Sequence, residues 1–352
     1  VLKIYREANG AGYAVQSSTV DNYTGDPMTL TFGVDAEGKI CGIQIDNYTD
    51  SIDVREKDAN FLSSFIGQDS ALADITLVAG CTYSSSAIRN AVSAGLEALI
   101  SNNLITAGEK SPVQTFTELL PTVAPGMAVS GILKTTEGTP TGSAEAVFIA
   151  NNDSAAAFVM KENDSYFLAV VHATGAVRVY DIDGNDVTDA HTALSDEAKA
   201  SAASALKSYV TEAEAKLKRL FKGKEVSDIT PVTLDTFNTV VYAATFRADG
   251  AEYTFFYCRP IGLDQMDLYI ELDANGAIAK FYAKAILFDT EFFPVAKTFE
   301  ASEYKAALEG LGPDNFPADA GVITGATMTS NTVRQAISEV FAAFAEIRKG
   351  GN

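Results

Sequence analysis

Two short runs place hydroxyl groups immediately ahead of a helix: Gly80-Cys81-Thr82-Tyr83-Ser84-Ser85-Ser86 and Gly325-Ala326-Thr327-Met328-Thr329-Ser330-Asn331. Threonine and serine in such a place are ordinary helix caps, accepting hydrogen bonds from first-turn N–H groups that have no partner inside the helix. The same run also offers what a phosphate ester needs: small side chains that let a substituent approach, unpaired N–H groups and the positive end of a helix dipole. The dipole contributes on the order of 0.3–2 kcal/mol, too little to hold a free nucleotide. A covalent tether removes that difficulty, because it makes binding intramolecular at an effective concentration of roughly millimolar or more. From the residues alone, plain cap and phosphate anchor both stand open.

The two runs belong to one repeated pattern. Sliding Thr82 onto Thr327 without a gap superposes Asp74 on Asp319, Gly80 on Gly325, Arg89 on Arg334, Ala91 on Ala336 and Ser93 on Ser338. Ile88, Val92, Leu96 and Leu99 fall on Val333, Ile337, Phe341 and Phe344, the four- and three-residue steps of a buried helical stripe. Upstream, the stretch from Met28 to Asp35-Ala-Glu-Gly38 answers the stretch from Met266 to Asp273-Ala-Asn-Gly276. Each reads as a strand, a tight turn supplied with residues that tolerate positive φ, and a second strand. The hairpins are offset by a different amount from the threonine runs, so the connection between them has changed length, as loops do.

These elements predict an α+β fold: two repeated units, each a β-hairpin sheet packed with helices, separated by a small α/β middle region. Residues 1–105 hold the first unit, with strands at Gly12–Thr19, 28–35 and 39–47, a helix near 58–66 and a helix over 86–101. Residues 106–143 read as a linker, because Pro112, Pro121, Pro125 and Pro140 crowd together with several glycines and favour extended or turning backbone. Residues 144–225 form the middle region, a meander of short strands between Ala146 and Asp181 followed by one long helix from Ser195 to about Phe221. Acids in its first turn, bases in its last and Gly223 beyond it fit that helix, and the region reads as a spacer or support. Residues 226–352 restart the first pattern, with strands at Val240–Arg247 and Glu252–Arg259, the second hairpin, a helix near 301–311 and a last helix over 331–348.

Composition narrows the function classes. A chain of 352 residues with 47% hydrophobic content is globular, and its formal charge of −20 repels duplex nucleic acid and anionic membrane surfaces. No nucleic-acid partner is expected, since the densest basic stretch, Lys216 to Lys224, sits at a helix end where cations meet the dipole favourably. Cys41, Cys81 and Cys258 are odd in number and lack a C-x-x-C pair, so neither a disulfide framework nor a thiolate metal site is written here. His172 and His191 are the two histidines, and H-E-x-x-H, G-x-S-x-G and the Walker phosphate loop do not occur. No catalytic or metal residues are assigned. The chain starts at Val1 and has no apolar run long enough to span a bilayer. It reads either as a cytosolic fragment or as a chain whose leader or anchor has been removed.

Thr324-Gly325-Ala326-Thr327-Met328-Thr329 resembles the flavinylation motif of FMN-binding domains, in which Ser or Thr, Gly, Ala, Thr or Ser, any residue, and Ser or Thr follow one another. Such domains occur in the Rnf electron-transport complex and in the sodium-pumping NADH:quinone reductase. The resemblance extends to Gly12-Tyr-Ala-Val15 and to the run from Asp35 to Ile43, and leaves out the middle region. Two copies in tandem are similar to the flavinylated lipoproteins of Gram-positive extracellular electron-transfer chains. The resemblance implies that a flavin transferase moves FMN from FAD onto the motif threonine as a phosphoester. It makes Thr327 the acceptor, with Thr324, Gly325, Ala326, Met328, Thr329 and Ser330 around it. In the first copy it points to Thr82, with Gly80, Cys81, Tyr83, Ser84 and Ser85; here Ala79 replaces the usual Ser or Thr and Cys81 the usual Ala. It further implies an electron carrier rather than an enzyme with its own substrate, placed outside the cytoplasm and held to the membrane by an anchor absent from this chain. Its partners would be the transferase and redox proteins or a quinone-linked membrane donor. The competing reading is a binding or structural module that keeps the fold without flavin.

Overall fold

The computed structural model describes residues 1–7, 10–20, 27–48, 53–73, 75–78, 81–127, 135–234, 238–261, 265–285, 302–322 and 327–350, with the backbone alone for residues 82, 83, 135–137, 285, 302, 303, 327, 328 and 350. Among the described residues the fold is mixed α/β, with three antiparallel sheets and seven α-helices. The chain forms two compact units, Val1–Thr115 and Phe116–Asn352.

In the first unit β1 (Lys3–Arg6), β2 (Gly12–Val20), β3 (Pro27–Asp35) and β4 (Ile40–Tyr48) make a sheet in sequence order. Along β3, Met28, Leu30, Phe32 and Val34 are buried while the residues between them are half-exposed, the period-two pattern of a sheet covered on one face. The cover includes α2 (Thr82–Ser101), whose Ile88, Val92, Leu96 and Leu99 join the same core. Gly95 allows the helix to come close: a Cβ there would lie 2.5 Å from the Phe32 ring.

The expected helix near 58–66 is instead a short α1 (Val54–Lys57) and a 3₁₀ turn at Leu62–Phe65. Asp58 interrupts it, adopting extended backbone and accepting the Asn60 N–H on its own carboxylate, the local competition that makes Asp a helix breaker. The expected linker also differs, since Pro112–Val123 form helix α3, which begins in the first unit and ends in the second. Ser111 and Gln114 cap it reciprocally, Gln114 N–H donating to Ser111 Oγ at 3.2 Å and Ser111 N–H to Gln114 Oε1 at 2.9 Å. Pro112 stands at the first helical position and Pro121 in the last turn, so most of the helical ladder is spared.

The second unit contains two sheets. The middle meander runs β5 (Thr135–Glu137), β6 (Ala144–Ala150), β7 (Ala155–Glu162), β8 (Ser165–His172) and β9 (Val177–Tyr180), and α4 (Thr192–Ala205) packs Leu194, Ala198 and Ala202 into its core. The last sheet runs β10 (Val226–Pro231), β11 (Val240–Ala248), β12 (Ala251–Cys258), β13 (Met266–Asp273) and β14 (Ile278–Ala285). The single helix expected from Ser195 to Phe221 is broken at 206–209 into α4 and α5 (Val210–Leu220). The break lets each half bury its own face: Leu206 packs beside the middle core, whereas Tyr209, Ala213 and Leu217 enter a separate core with Phe246, Phe255 and Tyr257. The last sheet is therefore covered twice, by α5 on one face and on the other by α6 (Ser302–Leu308) and α7 (Thr327–Gly350).

The turns of the middle meander are bonded to the last sheet. Thr174 Oγ1 donates to the Leu234 carbonyl at 2.5 Å and accepts the Leu234 N–H at 3.0 Å, and Asn152 donates to the Asn238 carbonyl at 2.9 Å. Arg259, 8% exposed, donates to the Asn152 carbonyl, to Asp153 and to the Tyr209 hydroxyl. Asp267 accepts the Tyr257 hydroxyl at 2.8 Å. These groups share charge and hydrogen bonds in a dry setting where leaving one partner behind costs about 3–5 kcal/mol.

Glu271 is the exception. It lies in the centre of β13 with no exposure, and neither carboxyl oxygen has a hydrogen-bond partner among the described residues. Burial pushes its carboxyl up to about 8. The folded state thus holds a proton that the unfolded chain releases near pH 4.5, so stability falls as pH rises from about 4.5 and levels off above about 8, by about 3–5 kcal/mol. In Glu271→Gln the gain in stability over the parent chain is expected to be larger at pH 8.5 than at pH 5 by that amount, measured by urea unfolding at the two pH values.

Candidate functional site

The first threonine run sits where the backbone is anchored at both ends. Upstream, the turn from Asp35 to Gly38 closes β3 on β4: Gly38, at φ 83°, donates to the Asp35 carbonyl at 3.2 Å, and Lys39 N–H donates to the Asp35 carboxylate at 2.8 Å. The next residue, Ile40, exchanges two backbone bonds with the segment ahead of the run, donating to Gln68 O and accepting from Gly67 N–H, both at 2.8 Å. Gly67 takes φ 84°, which an L side chain rarely adopts. Lys39 pairs with Asp69 at 2.7 Å, and that hydrogen bond is the main reason the Asp69 carboxyl lies below its ordinary range.

Downstream, the segment is stitched to the helix. Ser85, fully buried, accepts the Val78 N–H on Oγ at 3.1 Å and donates to the Cys81 carbonyl at 2.8 Å. Cys81 N–H donates to Val78 O at 3.0 Å. Cys81 is the cap residue of α2, 5% exposed, and its side chain makes no capping hydrogen bond to the first turn. Ser84 is buried beside it. Thr82 and Tyr83 open α2; their side chains, and Gly80 altogether, lie outside the described residues. The Thr82 backbone thus stands at the positive end of a 20-residue helix, in a setting of small buried side chains.

The second run is placed in a comparable frame. Gly276, at φ 82°, donates to the Asp273 carbonyl at 3.0 Å, and Ala277 N–H donates to the Asp273 carboxylate at 3.0 Å. Ile278 donates to Leu311 O and accepts from Gly310 N–H, again both at 2.8 Å, and Gly310 has φ 84°. Thr327 is the first residue of the 24-residue α7, followed by Met328; Thr329 is half-buried and Ser330 has no exposure. The side chains of Thr327 and Met328, and Thr324, Gly325 and Ala326 altogether, lie outside the described residues. The glycine–isoleucine bridges escaped the sequence reading. Their only signal was a lone glycine at Phe65-Ile-Gly-Gln68 and at Leu308-Glu-Gly-Leu311, spaced differently from both the hairpins and the threonine runs.

Residues 23–97 match the model of the FMN-binding domain. The match runs from just ahead of β3 through most of α2 and takes in the whole run from Gly80 to Ser86; the run at 325–331 lies outside it. The chain resembles FMN-binding domain proteins, and FMN is the cofactor. No curated protein and no solved structure matches the chain.

Within the FMN-binding domain, Ser85 has a structural task that its place in the motif does not reveal. It holds the turn from Val78 to Cys81 against the helix end. Ser85→Ala leaves the Val78 N–H buried and unpaired, so the first unit is expected to lose about 1–3 kcal/mol in chemical denaturation. The Val78 amide should then exchange with deuterium faster than the amides in the middle of α2.

Proposed function

We propose that this chain is an electron-transfer protein that carries FMN through phosphoester bonds to the threonines opening its two long helices, Thr82 and Thr327. The observation that carries the reading is the FMN-binding domain match over 23–97, which includes a threonine at the start of a helix whose cap residue, Cys81, makes no side-chain capping hydrogen bond. The matching Asp-Ala-x-Gly turns and glycine–isoleucine bridges support a second copy around Thr327.

Bound FMN supplies exchange of one or two electrons, so the protein needs no acid or base of its own for that role. What the chain contributes is position. The first-turn N–H groups and the helix dipole favour a phosphate at the threonine, while Ser84, Ser85 and Cys81 keep the surrounding backbone small and dry. Since the dipole alone grips weakly, attachment requires a flavin transferase, which forms the bond from threonine oxygen to the FMN phosphorus and releases AMP from FAD. The same reading puts the protein outside the cytoplasm, on a membrane anchor beyond this chain, exchanging electrons with redox proteins or a quinone-linked donor. No described helix is long and apolar enough to cross a membrane.

Coexpression with a flavin transferase is expected to give a species carrying two FMN groups by intact mass and a fluorescent band after denaturing electrophoresis. Thr327→Ala and Thr82→Ala should each remove one FMN, and the double variant both. The second copy keeps the full motif, whereas Ala79 deprives the first of one hydroxyl worth about 0.5–1.5 kcal/mol as a neutral hydrogen bond, so Thr82 should be modified more slowly. Mass unchanged in both single variants would overturn the threonine assignment. A colourless chain after exhaustive treatment would favour a structural module instead.

A further inference from the structure

Strand β14 carries Lys280, Tyr282 and Lys284 at alternating positions, so all three side chains leave one face of the sheet. Across the ladder stand Glu271, Tyr269 and Asp267 on β13. Register alone predicts two cross-strand ion pairs, yet neither forms. Asp267 turns to the Tyr257 hydroxyl and to Arg259, and Glu271 stays buried without a hydrogen-bond partner among the described residues. Two further lysines arrive from the helices. Lys216 of α5 places Nζ 3.2 Å from the centroid of Tyr282 and 4.7 Å from that of Tyr269, and Lys305 of α6 places its own 4.5 Å from the same Tyr282 ring. The two ammonium groups therefore lie within roughly one Debye length, about 8 Å at physiological ionic strength. None of the four lysines pairs with a carboxylate among the described residues.

This arrangement runs against the charge of the chain. With a net charge of −20, most lysines have acids to meet, but here two cations share one aromatic ring and its quadrupole, while Asp267 and Glu271 on the facing strand act on the lysines without forming an ion pair. We propose that the cluster is a binding site for a small oxyanion of the phosphate class, held by Lys216 and Lys305 at Tyr282 with Lys284 beside it, while Lys280 lies over the Phe221 ring. The strain it would relieve is visible on Lys216, whose ammonium is pushed down to about 8, first by burial and then by Arg219, Lys305 and Lys284. Glu271 does not compete, because its burial keeps it protonated at neutral pH. The ligand is small because Lys216 and Lys305 are half-buried rather than projecting, and because a long polyanion would meet the negative field of the rest of the chain.

Calorimetric titration of the full chain at pH 7 with inorganic phosphate, pyrophosphate and AMP tests the site. Saturable one-to-one binding is expected. Lys216→Met and Lys305→Met should each weaken it at least tenfold while far-ultraviolet circular dichroism and thermal midpoint stay close to the parent. Lys161→Met, which removes a lysine over the Tyr166 ring of the middle meander, should leave it unchanged. AMP binding more tightly than pyrophosphate identifies a phosphomonoester as the ligand; the reverse identifies a free oxyanion. Absence of saturable binding by all three probes, or equal weakening in Lys161→Met, overturns the proposal.

Discussion

A stripe of apolar side chains on one helix, pressed against an antiparallel sheet, is the contact on which the rest of each unit depends. In the first unit the stripe is Ile88, Val92, Leu96 and Leu99; in the second, Val333, Ile337, Val340 and Phe344 do the same work. Burying a side chain of this size is worth about 1.5–3 kcal/mol, so four of them outweigh any single hydrogen bond at the helix end. The stripe fixes the helix, and the helix fixes the direction in which its first turn points. Everything near the threonine is then a matter of controlling the few residues that lead into that turn. Ile40 with Gly67, Lys39 with Asp69 and Ser85 with Val78 are successive fastenings along this short path.

The first and last sheets are both antiparallel and helix-covered, but under different electrostatic conditions. On the first, the face away from α2 carries Gln16, Thr31 and Gln44, whose side chains all donate to Asp46. Those bonds hold the Asp46 carboxyl below its ordinary range, led by that from Thr31. On the last sheet the corresponding face is roofed by α5, and acids that would be solvated in the open are trapped there. Asp267 is raised by burial although Tyr257 and Arg259 pull it back, and Glu271, with no hydrogen bond, is raised by burial against the weaker pull of Lys280 and Lys216. A buried carboxyl without a hydrogen bond is destabilising at neutral pH, so this position costs the fold stability that the open face of the first sheet does not lose.

Much of this was legible in the sequence because it depends on neighbours in the chain. The hairpins followed from alternation plus Asp-Ala-x-Gly, the long helices from three- and four-residue steps, and the middle meander from strand-like runs separated by turn residues. What was not legible depends on partners far away in sequence. The stretch from Ser195 to Phe221 has continuous helical composition, and only the competing demands of two cores, one reached by Leu206 and the other by Tyr209, explain its break. Proline crowding concealed α3, because the rule against proline inside helices does not apply at the first position. The Arg259 cluster joins residues more than a hundred positions apart, and no local pattern announces it.

The same distinction governs the threonines. Their chemistry is local, a hydroxyl and a few N–H groups at a helix end, and for that reason a short motif can specify it. Holding a cofactor there is not local, because the dipole falls off within the first turn and contributes at most about 2 kcal/mol. A protein that relied on this grip would need a deep pocket assembled from distant elements. The proposed covalent attachment would make such a pocket unnecessary: with the phosphate bonded to the threonine, the fold would have only to keep one helix end in a defined place and orientation. An antiparallel sheet, an apolar stripe and a stitched loop are sufficient for that, and under the proposed reading the same plan would serve both threonines while the surroundings of the two sheets differ.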